Sequence, residues 1–175
     1  MNRYLLALAG VAATATATGV VACANADPGT DASAAPTGPP QLGAACAENF
    51  DGALTALPKE VGDPPNRKNL LECADGQWQT FRGEYSTSDR WLSAGTELVL
   101  RGQGMRNPEV MAGQWTGTPQ EPDGTCGVEY TEVFSGKASD PRIVNGEAGQ
   151  PLSFDAPQNL LNIALSGHCL WQREG

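Results

Sequence analysis

Cys126-Gly127-Val128-Glu129-Tyr130-Thr131 is the stretch whose reading decides the fold. Cys126, Val128 and Tyr130 fall on one face and Gly127, Glu129 and Thr131 on the other. A period of two belongs to a strand with one side on a core and the other toward water. Leu161, Ile163 and Leu165 repeat it. Working outward, the pattern predicts strands over 77–81, 97–101, 114–118, 127–134, 142–145, 152–154, 160–165 and 168–172. Pro122-Asp123-Gly124 and Asn145-Gly146 supply turn chemistry between them. Helix is scarce. Residues 47–57 carry a short helical pattern closed by Pro58, and 67–73 a second one after Pro64-Pro65. The fold class is therefore mainly β: a small antiparallel β-sandwich or barrel-like domain with one or two short N-terminal helices.

The N-terminus reads differently. Arg3 is the one charge near the start, and Tyr4 to Ala22 is uncharged and largely apolar, as in the n- and h-regions of a secretory signal. Gly10, Thr14, Thr16, Thr18 and Gly19 dilute the run too far for a lasting bilayer span. Two processing sites overlap. Val20-Val21-Ala22-Cys23 has the form of a lipobox, which leaves Cys23 as a lipid-bearing terminus on the outer face of the cell membrane. Ala24-Asn25-Ala26 has the A-x-A form of an ordinary signal-peptidase site, which releases a secreted chain starting at Asp27. Beyond it the chain is mostly Ala, Pro, Gly, Ser and Thr, with Leu42 the only large apolar residue before the domain. So little apolar surface does not offset the entropy of ordering. The expected organisation is a signal peptide over 1–22 (to 26 for the second site), a disordered tether over 23–43 and a disulfide-stapled β-rich domain over 44–175.

With Cys23 lipidated or removed, Cys46, Cys73, Cys126 and Cys169 remain. An even number in an exported chain reads as disulfides. Order along the chain suggests Cys46–Cys73 with Cys126–Cys169, while Cys46–Cys126 with Cys73–Cys169 stays open. No C-x-x-C spacing occurs and His168 is the sole histidine, so no metal site is expected. The net charge of −9 becomes −10 once Arg3 leaves with the signal. An acidic chain without a basic stripe repels phosphate backbones, which excludes nucleic acid as a partner class. A lipid on Cys23 reaches the membrane without any basic surface.

Catalytic motifs are absent: there is no G-x-S-x-G and no S-x-x-K. Gly102-Gln103-Gly104 begins like a dinucleotide loop, yet Asn107 stands where the third glycine belongs and no helical pattern follows. It reads as a turn. Among the acids, Glu129 and Glu132 point to opposite faces of one strand, and Glu121 with Asp123 sits in a turn. No catalytic residue and no cofactor are expected. The aromatic residues carry more. Trp115 and Trp171 read as core fillers. Trp91 closes the polar stretch Tyr85-Ser86-Thr87-Ser88-Asp89-Arg90-Trp91, which makes Tyr85, Arg90 and Trp91 candidate ligand contacts. The alternative is a Trp91 ring tucked beneath its own loop.

Gly113 and Trp115, Cys126 and Tyr130, Ile143 and Asn145, Gly149, and Gly167-x-Cys169-x-Trp171 form a longer pattern over the last third of the chain. It resembles a C-terminal β-domain of small exported proteins and lipoproteins of actinobacteria, of the mycobacterial and streptomycete kind. That resemblance implies export, β-structure and the Cys126–Cys169 pairing, and it brings no assigned activity or site. Cys73-Ala74-Asp75-Gly76-Gln77-Trp78 resembles a cysteine-turn-tryptophan segment that recurs in extracellular proteins. The expected function is a non-enzymatic, lipid-anchored envelope protein binding another exported protein, a wall polymer or a small ligand. The alternatives are a carboxylate-based wall hydrolase and a soluble secreted structural factor.

Overall fold

The computed structural model describes residues 38–64, 68–95 and 97–175. The expected signal peptide, Cys23, both processing sites and the tether as far as 37 lie outside the described residues.

A 3-10 turn, Glu48–Phe50, precedes the strands. In chain order these are β1 (Leu54–Ala56), β2 (Leu70–Ala74), β3 (Gln77–Thr80), β4 (Arg90–Ser93), β5 (Leu98–Arg101) and β6 (Gly113–Pro119). Then come β7 (Gly127–Phe134), β8 (Lys137–Ala138), β9 (Arg142–Asn145), β10 (Leu152–Ala156), β11 (Leu160–Ser166) and β12 (Cys169–Arg173). The first sheet has seven strands in the order β10-β6-β12-β4-β1-β2-β3. The second has five, ordered β5-β11-β7-β8 with β9 also on β7. Neighbours are antiparallel except β1 and β4, which run parallel through Leu54 and Trp91.

The sheets share a core. Trp91, Trp115 and Trp171 of the first meet Leu100, Val128, Ile163 and Leu165 of the second in one buried cluster. Each indole N–H keeps an acceptor, as buried tryptophans require. Trp91 Nε1 donates to the Glu109 carbonyl at 3.3 Å, Trp115 Nε1 to the Met111 carbonyl at 2.9 Å, and Trp171 Nε1 to Ser93 Oγ at 2.9 Å. Gly117 lies under the Trp171 ring, where a Cβ would stand 2.4 Å from it. Only glycine fits there.

Alternation along β4 and β12 sends Leu92 and Leu170 to the opposite face of the first sheet. There they join Leu71, Trp78, Phe50 and Ala53 in a second cluster. Cys46–Cys73 lies in this outer cluster, and Cys126–Cys169 lies in the core between the sheets. The pairing suggested by chain order is the one formed.

The mainly β class holds, but the N-terminal helices do not form as expected. Over 47–57 only Glu48–Phe50 is helical; Gly52 turns the chain at φ 72° and Leu54–Ala56 continues as strand. Over 67–73 the described part is strand from Leu70. Its alternating burial pairs it with β3 across Asp75-Gly76, both at positive φ (52° and 73°). That is a type I′ hairpin turn, which overrides a short helical pattern because it satisfies a full backbone ladder. Asn145-Gly146 makes no hairpin: Gly146 N–H donates to the Cys126 carbonyl and the chain crosses to pair β10 with β6. The packed chain also begins ahead of 44. Pro40 is buried and Gly43 N–H donates to the Trp78 carbonyl at 2.7 Å.

Candidate functional site

β5 ends the second sheet, pairing with β11 on one side only among the described residues. Leu98 and Leu100 turn inward from it, while Val99 faces out. Between this edge and β1–β2 of the first sheet lies a cleft of about 1050 Å³. Its walls are aliphatic, with Leu57, Leu70, Leu98, Leu100, Met105 and Leu161 among them, and no aromatic ring among the described residues lines it. That is the concave, mostly apolar character of a small-molecule site.

The polar part of the cleft is built around Glu109, whose side chain is 2% exposed. Lys68 Nζ donates to its Oε2. The Arg101 backbone N–H donates to the same oxygen at 2.8 Å, and Arg101 Nε stands 3.4 Å from it. Ser86 Oγ donates to Oε1 at 3.3 Å. The backbone joins in: Glu109 N–H donates to the Arg101 carbonyl at 2.9 Å, and the Glu109 carbonyl accepts from Ser88 N–H at 3.2 Å. A carboxylate this deep is held only where cations and donors replace its water. Glu109 thus caps the backbone N–H at the end of edge strand β5 and fixes two cations beside the aliphatic walls. Burial pulls the Lys68 pKa below its ordinary value of 10.5, against the raising effect of its bond to Glu109.

The candidate contacts named from sequence fall elsewhere. Trp91 is wholly buried in β4, with its backbone paired to Leu54 and Trp171, and presents no ring to a ligand. The polar residues before it only precede an inward-facing strand position. Arg90 donates through Nη2 to the Asn49 carbonyl at 2.7 Å, tying the 3-10 turn to β4. Tyr85 is exposed, and it shares no surface with Trp91. Trp115 and Trp171 are core, as expected. His168 Nδ1 lies 3.3 Å from Glu121 Oε1 beside the outer layer, and Glu132 lies 3.8 Å from Arg142 Nη2. Among the described residues no three His, Cys, Asp or Glu side chains group to hold a metal ion.

Lys68, Arg101 and Glu109 were missed because they stand on three separate segments with no spacing between them to read. The one signal is Glu109 itself, an acid directly before the apolar Val110-Met111-Ala112. Set against protein family models, curated proteins and solved structures, the chain matches none. The actinobacterial resemblance therefore rests on its sequence pattern alone.

Proposed function

We propose that this is an exported, non-enzymatic envelope protein, held at the outer face of the membrane by lipid on Cys23, and that it binds a small ligand in the cleft beside Lys68 and Glu109. Two disulfides suit an oxidising compartment, and the apolar run ahead of Cys23 suits export. The observation that carries the binding reading is the cleft: aliphatic walls converging on one buried, fully partnered carboxylate. A built polar centre in an apolar hollow is what orients a ligand. The same centre argues against the hydrolase alternative. Glu109 is engaged by Lys68, the Arg101 backbone and Ser86, which commits its carboxylate to an ion pair and hydrogen bonds instead of leaving it free as an acid, base or nucleophile.

Amide hydrogen exchange of the full chain, with and without an extract of the cell envelope, tests the site. Slowed exchange at β2 and β5 is expected. Slowing confined to other surfaces would remove the cleft from consideration. The anchor is tested separately by Cys23→Ser, which is expected to move the protein from the membrane fraction to the culture fluid.

A further inference from the structure

The cleft's chemistry narrows its ligand, given the reading above that the cleft is the binding site. We infer that it takes a single-chain aliphatic anion, the chain along the leucine walls and the head group beside Arg101 and Lys68. Sugar and aromatic rings are held by stacking on Trp, Tyr or Phe, and none of these among the described residues lines the cleft. A flexible hydrocarbon chain asks only for apolar contact, and leucine and methionine side chains supply it.

The sign of the head group follows from charge. Lys68 and Arg101 both address Glu109, so two cations meet one carboxylate and one positive charge is left over. At the rim Lys59 and Glu97 add one charge of each sign. A positive excess stands out in a chain of net charge −9. Glu109 accepts from Lys68, the Arg101 backbone and Ser86, which commits its charge to holding the cations in place. The Arg101 side chain is 46% exposed, leaving a planar guanidinium at the cleft, a shape that matches carboxylate and phosphate oxygens. An anion there also offsets the burial that disfavours the Lys68 charge. A cationic head would meet Lys68 and Arg101 unfavourably. A neutral one would gain from the walls alone.

Titration calorimetry of the full chain with palmitate, hexadecyl phosphate, hexadecanol and hexadecyltrimethylammonium, each kept below micelle formation, separates these cases. The two anions are expected to bind at least about tenfold more tightly than the alcohol, and the ammonium not to bind. Preference between palmitate and the phosphate identifies the head as carboxylate or phosphate. Arg101→Met is expected to lower palmitate affinity about tenfold and leave the alcohol unchanged. Ala94→Trp, which fills the cleft, is expected to abolish binding of both, and Met105→Trp serves if that chain does not fold. Equal affinity for all four heads, or palmitate binding that survives both fillings, would overturn the inference. Should no probe bind while envelope extract still slows exchange at β5, the ligand class is wrong and the site stands. Should both fail, the binding reading falls with it.

Discussion

The two faces of the first sheet are covered in different ways. One face packs on a whole second sheet through three tryptophans, and Cys126–Cys169 joins the residue before β7 to the first residue of β12 across the layers. The other is covered by a single pass of chain around Glu48–Phe50, with Phe50 on Trp78 at 6.1 Å and Cys46–Cys73 as its clip. The first core is long-range in sequence and continuous. The second is smaller, drawn from residues 46–78 apart from Leu92 and Leu170 of the sheet, and carries its own covalent clip. The cleft lies where the second sheet ends at β5, so the sandwich's open edge is also where its apolar interior meets solvent.

The largest expected effect comes from the core between the sheets. Trp171→Ala should cost about 5 kcal/mol in urea unfolding, since it empties the centre and removes the donor that the Ser93 hydroxyl accepts from. If the same change at Trp78 costs as much, the two cores are not unequal. Removing the disulfides comes next. Sequence separations of 43 and 27 residues correspond to about 4.0 and 3.6 kcal/mol of chain entropy for Cys126–Cys169 and Cys46–Cys73. The energies nearly coincide, so location is the sharper readout. Serine at Cys46 and Cys73 should speed hydrogen exchange in β1 to β3 alone, and serine at Cys126 and Cys169 should speed it throughout. Glu109→Ala, at the border between core and cleft, should cost about 2–3 kcal/mol, reduced from a fully buried pair because Lys68 and Arg101 keep some water. Gly76→Ala should cost about 1 kcal/mol and loosen only the β2–β3 hairpin, because φ 73° suits a residue without Cβ.

The smallest effect concerns pH. In the folded chain the Lys68 pKa lies below 10.5. Between those two values the unfolded chain holds a proton that the folded chain has lost, so the Lys68 contribution to stability rises with pH across that window. Unfolding of the Lys68→Met variant should lack this rise. A contribution that falls with pH would mean that the bond to Glu109, not burial, governs Lys68.

Much of the larger core was legible in the sequence. The alternation at Cys126–Thr131, the strand at Leu160–Ser166 and the buried Trp115 and Trp171 follow from period-two patterning, which a sheet with one wet face preserves. The outer layer was not. The strands it packs on, Leu54–Ala56 and Leu70–Ala74, are short, and Leu70–Ala74 alternates in burial but not in residue type, its place being set by the Asp75-Gly76 turn. The candidate site was least legible of all. Trp91 looked like a loop residue because the residues before it are polar, whereas its position in β4 is decided by pairing with β1 and β12. Lys68, Arg101 and Glu109 converge only through tertiary structure.

Native mass spectrometry of the full chain isolated from the cell envelope tests the binding reading most directly. One small-molecule adduct per chain is predicted for the wild type, and its loss is predicted for Met105→Trp and Ala94→Trp. A wild-type chain without an adduct, or an adduct retained when the cleft is filled, would contradict a ligand in this cleft.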